Sequence, residues 1–150
     1  MTTVFIDADA CPVTREAISV ARAHGAKVML VADNNTNLEK YVRPGVEATN
    51  VTTGRDSADF AIVGMLSPGD IVVTQDIGVA AMALGRGVGA VSPRGRIFYL
   101  ATIDAEMELR HAEARHRRQG GRTGGPKAFT EEDREHFVDS LERLLNERRP

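Results

Sequence analysis

The chain contains no tryptophan, two tyrosines and five phenylalanines. Aromatic residues make up 5% of it, too few for an extended surface on which bases stack. It has a single cysteine, Cys11, so no internal disulfide can form, and the expected location is the reducing cytoplasm. The four histidines show no zinc-type spacing with that cysteine. Long apolar runs are missing as well. VFI, VMLVA and IVVT are far too short to cross a bilayer, which removes the membrane as an expected partner. The start, MTTVFIDAD, has no basic segment and meets a charge at Asp7, unlike a secretory leader. There is no GKS or GKT phosphate loop. GRGVG at 85–89 falls short of the dinucleotide fingerprint and follows a helical stretch rather than a strand.

What is present is ordinary in bulk and uneven in detail. The 150 residues are 42% hydrophobic and 27% charged, which fits one soluble domain. The net charge of −2 hides an asymmetry. Residues 110–127 hold Arg110, Arg115, Arg117, Arg118, Arg122 and Lys127 against Glu113 alone, so this stretch carries +5 and the rest −7. A basic block on an acidic chain points to an anionic partner approached by one face. The bland alternative is a solvated helix end whose Arg115 and Arg118 pair with Glu131, Glu132 or Glu135.

Strand and helix patterns alternate along the chain. Val4–Ile6 reads as a buried strand stopped by Asp7. Pro12 suits the first turn of a helix that ends at Gly25. Lys27–Ala32 is a second strand, and 33–37 is a polar loop. Val46–Val51 is a weaker third strand, followed by a helix that Asp56 or Ser57 caps and that runs to Leu66. Ile71–Thr74 is a fourth strand and Ile77–Arg86 a small-residue helix. Ala90–Val91 is a short fifth strand, and Ile97–Ala101 pairs at an edge. Ile103–Arg118 reads as a helix with Asp104 as its cap. A basic, glycine-rich loop spans 119–127. Thr130-Glu131-Glu132-Asp133 opens a last helix, 130–148, with a capping-box pattern. The order predicts an α/β fold: a three-layer sandwich around a mostly parallel sheet, as one domain over 1–150 with helices at its C-terminal end.

In such a sheet, ligands bind beyond the carboxyl ends of the strands. Asp7 and Asp9 leave the first strand, Asp33 the second and Asp76 the fourth. Asp56 and Asp59 open the helix after the third. Acids gathered at one edge repel one another, and a divalent cation relieves the repulsion. Mg²⁺ takes oxygen ligands and keeps several waters, so a few carboxylates are enough. Each acid also has a structural role to fall back on: Asp9 as a cap for the helix at Pro12, Asp56 and Asp59 as first-turn acids, and Asp33 as a turn residue. Asp7 and Asp76 are the hardest to account for in that way. Cys11 lies at a helix start, yet no histidine or second cysteine is near it in sequence, so it reads as a small packed residue.

Four segments carry a resemblance. FIDADACPV at 5–13, GRDSADFAI at 54–62, GDIVVTQDIGVA at 69–80 and GGRTGGPKAFTEEDREHF at 120–137 resemble the YaiI/YqxD family of uncharacterised bacterial proteins. That family is similar to PIN-like (NYN-type) nuclease domains, which cut RNA with clustered acids and Mg²⁺ or Mn²⁺. The resemblance implies catalytic roles for Asp7, Asp59 and Asp76, and a metal site drawn from Asp7, Asp9, Asp56, Asp59 and Asp76. Where many PIN domains place a further acid, two residues after the fourth-strand aspartate, this chain has Gly78. The function so implied is hydrolysis of RNA phosphodiester bonds, with Arg110, Arg115, Arg118, Arg122 and Lys127 gripping phosphates. Two alternatives stand beside it. One is an RNA-binding module that kept the fold without turnover, which Gly78 favours. The other is a haloacid-dehalogenase-type phosphatase, since Asp7-x-Asp9 after a strand imitates its nucleophile and acid. That enzyme calls for threonine or valine where Cys11 stands, and for a downstream lysine that is not evident.

Overall fold

The computed structural model describes residues 1–9, 11–51, 57–121 and 127–148, without the side chains of 57–60. Six strands form one sheet in the order β3-β2-β1-β4-β5-β6. They are β1 (Thr3–Asp7), β2 (Lys27–Asp33), β3 (Val46–Val51), β4 (Ile71–Val73), β5 (Gly89–Val91) and β6 (Ile97–Phe98). The first five run parallel, and β6 returns antiparallel to β5. Among the described residues, five α-helices accompany them, α1 (Thr14–Ala23), α2 (Ser57–Met65), α3 (Ile77–Gly85), α4 (Ile103–Arg118) and α5 (Glu131–Glu147), with a short 3-10 turn at Glu39–Tyr41. None of the described helices is long and apolar enough to cross a membrane.

A parallel sheet must be covered on both faces, and its central strands are accordingly apolar between their ends, while β3 at the edge carries Glu47, Thr49 and Asn50. Side chains alternate across β1. Val4 and Ile6 enter one core with Ala17, Ile18 and Ala21 of α1 and Phe137, Leu141, Leu144 and Leu145 of α5. Phe5 enters the other, with Ile62, Val63 and Leu66 from α2 and its C-terminal end and Val79, Ala80 and Ala83 of α3. The molecule is therefore a three-layer α/β sandwich, as the alternating pattern predicts.

Helix α5 closes the first face. After β1 the chain moves outward through β2 and β3, then returns to the other side of β1 as β4 and β5. The crossover helices α2 and α3 pack on the second face, so Ile71, Val73 and Val91 find their cover on the first face in α5. Its stripe of Phe137, Leu141, Leu144 and Leu145 follows the helical repeat. Its N-terminus is a complete capping box: Thr130 Oγ1 accepts from the Asp133 amide at 3.1 Å, and Asp133 Oδ2 accepts from the Thr130 amide at 3.0 Å. The same carboxylate holds Arg94, in the β5–β6 turn, at 2.8 Å. At Gly95 of that turn, φ is +91°, and an added Cβ would lie 2.6–2.7 Å from the α5 backbone at His136 and Phe137. Ser140 donates to the Gly95 carbonyl at 2.6 Å. Helix and turn thus meet backbone to backbone, which only glycine permits here.

Three local readings change. Helix α1 begins at Thr14, leaving Pro12 in the preceding turn, and Val13 at its cap makes no side-chain bond to it. Thr102, not Asp104, sits at the cap of α4, so Asp104 is a first-turn acid. The edge pairing expected over Ile97–Ala101 is confined to Ile97 and Phe98. Truncation of the fully buried Phe137 to alanine is expected to cost about 3–5 kcal/mol in chemical denaturation. Gly95→Ala, although it adds one methyl, is expected to cost at least about 2 kcal/mol by the same measurement, because it combines a left-handed φ with a backbone clash.

Candidate functional site

Because β1 and β4 are parallel neighbours, their carboxyl ends emerge side by side, where the strand order reverses. This switch point is where open α/β sheets hold their ligands. Asp7 ends β1. Thr74, 1% exposed, follows β4 and donates its hydroxyl to Asp7 Oδ2 at 3.0 Å. The same Thr74 oxygen accepts the Asp76 amide at 3.0 Å. Asp76 caps α3, its Oδ1 accepting from the amides of Gly78 at 2.8 Å and Val79 at 3.2 Å. Thr74 thus ties the Asp7 carboxylate to the Asp76 main chain, and the two aspartates lie on the same edge, as the sequence predicts. Asp76 keeps Oδ2 outside these bonds, whereas the Asp7 carboxyl is also approached by the backbone amide of Asp9.

Asp9 has a different task. It does not cap α1. Both its oxygens accept from the Asp33 amide, at 3.3 and 3.2 Å, and Oδ1 also takes the Thr36 hydroxyl at 2.8 Å. Asp33 Oδ1 accepts the Asn35 amide at 2.8 Å, the turn role expected of it. Asn50 donates to the carbonyls of Asp33 and Thr36, both at 2.7 Å. Asp9 therefore ties the end of β1 to the loop after β2. Asp56 lies outside the described residues, as does the side chain of Asp59, whose backbone is in α2.

The electrostatics of Asp7 set it apart. Burial pushes its carboxyl above the ordinary aspartate value; the Thr74 hydrogen bond opposes this, and the charges of Asp9 and Asp76 add to it. Among the described residues, the charges acting on it, those of Asp9 and Asp76, are both negative. Among the described residues, no three His, Cys, Asp or Glu side chains are grouped to hold a metal ion. Asp7 and Asp76 are thus a pair that needs further ligands, from Asp59 or from water, to complete a divalent site. Gly78 has a local reason: a Cβ there would stand 3.1 Å from Asp76 Oδ1, pressing on the capped carboxylate. Cys11 is packed against the core, and burial raises its thiol above the usual range, with Asp7 and Glu16 adding to the shift. A thiol kept protonated is a poor nucleophile, in accord with the packing role read from the sequence.

Beside the acids lies a cleft of about 520 Å³, lined by Gln75, Arg94, Arg96, Arg110, Lys127 and Phe129 among others. Arg110 and Lys127 were expected at a phosphate-binding surface; Arg94 and Arg96, from the SPRGR turn, were not. Their only signal was a pair of arginines in a turn at the carboxyl end of β5. Arg115 and Arg118 are exposed on the far end of α4, and no ion pair ties them to α5. Arg134 makes the connection from α5, to Glu131 at 3.2 Å and to Glu16 of α1 at 2.8 Å. Arg122 lies outside the described residues.

The family model described as "Uncharacterized BCR, YaiI/YqxD family" matches residues 5–147. The chain belongs to the YaiI/YqxD family. It is 43% identical over 145 residues to the UPF0178 protein of Exiguobacterium sibiricum, covering 97% of each chain. It is 41% identical over 143 residues to that of Caulobacter vibrioides, covering 95% of this chain and 92% of the relative. Against the UPF0178 protein of Bacillus pumilus the identity is 38% over 144 residues, 96% of this chain and 86% of the relative. No solved structure matches this YaiI/YqxD chain.

The raised Asp7 carboxyl has a measurable consequence. An acid whose folded-state pKa is raised binds more protons when folded, so its ionisation lowers stability as pH rises through the carboxylate range. Asp7→Asn removes that charge and keeps an oxygen for Thr74. Its melting temperature at pH 7 is expected to match or exceed that of the parent. The gain should vanish as pH falls below the titration of Asp7, where the parent carboxyl is itself neutral. Thermal scans across pH read both effects.

Proposed function

We propose that this protein is a divalent-metal-dependent ribonuclease that hydrolyses RNA phosphodiester bonds at the switch point of its sheet. The observation that carries the reading is the convergence of Asp7 and Asp76 there, both half-buried, with Thr74 bonded to the Asp7 carboxylate and to the Asp76 amide, and with the negative charges of Asp9 and Asp76 bearing on Asp7. Two acids held in mutual repulsion cost stability, and proteins tolerate such arrangements where chemistry uses them. Mg²⁺ or Mn²⁺ suits these oxygen donors. Asp7 and Asp76 would hold it, with Asp59 as the third acid that the PIN-like resemblance implies. The ion supplies activation of water and stabilisation of the leaving oxygen in phosphodiester hydrolysis.

The chain's own residues do the positioning. Thr74 fixes the rotation of the Asp7 carboxylate through Oδ2. The Gly78 and Val79 amides fix Asp76 in the same way. The basic cleft beside Gln75 and the arginines of α4 supply cations for the RNA backbone. Asp9 is assigned to the loop rather than to the reacting centre, on the strength of its bonds to Asp33 and Thr36. That assignment weakens the phosphatase alternative, in which Asp9 is the general acid.

The non-catalytic RNA-binding alternative has one observation in its favour: glycine at position 78, where the crowding at Asp76 leaves little room for another acid. Single-turnover cleavage of single-stranded RNA separates the two. With Mn²⁺, cleavage is expected that EDTA abolishes and that Asp76→Asn reduces at least about 100-fold without loss of fold. Asp59→Asn is expected to do the same. Metal-dependent cleavage unchanged in Asp76→Asn would remove the site. Binding without cleavage under any divalent ion would leave the module.

The arginines of α4 make a separate test. Arg115→Ala and Arg118→Ala are each expected to lower the log–log salt slope of RNA binding by about one or slightly less. The melting temperature should stay unchanged, because neither side chain makes an ion pair to α5. A lower melting point with unaltered RNA affinity would instead give these residues a purely structural role.

A further inference from the structure

We propose that the cleft beside the paired aspartates receives the terminal phosphomonoester of an RNA strand, placing the adjoining phosphodiester at Asp7 and Asp76. This assignment of substrate class rests on the nuclease reading. Four cations line the cleft: Arg94, Arg96, Arg110 and Lys127. Two are already matched within the protein, Arg94 by Asp133 and Arg96 by Glu106. Among the described residues, no carboxylate pairs with Arg110 or Lys127. Two uncompensated cations complement a terminal phosphate, which carries a charge of about −1.5 to −2 at neutral pH. An internal phosphodiester carries one negative charge and matches them less well.

Two of the cationic groups, Arg94 and Arg96, are held by the protein. Arg94 donates to Asp133 and to the carbonyls of Lys127 and Ala128, and its guanidinium lies 5.7 Å from the Phe129 ring centre. Arg134 sits 5.2 Å from the same ring, so Phe129 is engaged by guanidinium groups and serves as a wall rather than a base-stacking surface. Arg110 makes only a long 3.5 Å bond, to the Gln75 carbonyl, and keeps most of its donors for a planar, two-pronged grip on phosphate. Gln75 also fixes the relation between the two sites. It stands between Thr74 and Asp76, so Arg110 approaches the very segment that positions the acids.

The test is equilibrium binding in EDTA, where no cleavage occurs. Three forms of one fluorescent 12-nucleotide single-stranded RNA are compared: 5′-phosphate, 3′-phosphate, and hydroxyl at both ends. One phosphorylated form is expected to bind at least about tenfold more tightly than the hydroxyl form, and which one names the end that enters. Arg110→Ala combined with Lys127→Ala should erase the difference, whereas Asp76→Asn should keep it. Equal affinity for all three RNAs in the parent protein overturns the proposal. So does a preference that survives the double substitution in a variant whose melting curve is unchanged. The nuclease reading fails by a different result, the absence of Mn²⁺-dependent cleavage, and end discrimination in EDTA does not depend on it.

Discussion

A parallel sheet needs both faces covered, and much of this molecule follows from how that need is met. The crossovers through α2 and α3 leave the β4–β5 half of one face without a helix, and α5 returns from the far end of the chain to fill it. The packing of Phe137, Leu141, Leu144 and Leu145 sets where α5 lies. The capping box and Gly95 set where it starts and how closely it approaches the β5–β6 turn. From that docking the cleft results. Asp133 draws in Arg94, Arg94 binds the carbonyls of Lys127 and Ala128, and Phe129 is clasped between two guanidinium groups. A helix recruited for burial thereby builds one wall of a polar surface at the sheet edge.

The two sides of that edge have opposite electrostatic character. At the switch point, Asp7 is half-buried beside like charges, a state that costs stability and is relieved by protonation, by a cation or by substitution with asparagine. Beside it, the cleft holds more cations than the carboxylates around it neutralise. An acidic centre flanked by a basic groove suits a polyanionic substrate bound along its backbone and attacked at one phosphorus. The acidic first turn and basic last turn of α4 also match its helix dipole, which explains part of the arginine run without any ligand. The cations of the cleft have no such explanation: Arg94 and Arg96 sit on the β5–β6 turn, Lys127 lies on the segment before α5, and Arg110 is in α4 but outside its last turn.

Much of the architecture could be read from residue patterns because the core strands are short, apolar and stopped by polar residues. Val4–Ile6 ending at Asp7 and Ile71–Val73 followed by Thr74 and Asp76 mark both the strands and the edge where ligands bind. The capping box at Thr130 and Asp133 was evident for the same reason, being a contact between near neighbours. Asp9 could not be assigned in that way. Its spacing from Asp7 suited a metal ligand, a cap or a general acid, and its actual partners, Asp33 and Thr36, lie more than twenty residues away. Arg94 and Arg96 are not legible in the sequence, because a pair of arginines in a turn carries no periodic signal and their significance depends on Asp133, Glu106 and Arg110 coming alongside.

Local chemistry along the chain decided the alternation of strands and helices, the apolar stripe of α5 and the placing of Asp7 and Asp76 at strand ends, since these depend on near neighbours and on the repeat of each element. Tertiary packing alone decided that β1 and β4 are adjacent, that Thr74 joins their two acids, and that α5 brings residues 127–134 against α1 and the β5–β6 turn. These contacts join residues dozens of positions apart. They form only where burial of the sheet's two faces repays the entropy of closing those long loops, a balance no short window of sequence contains.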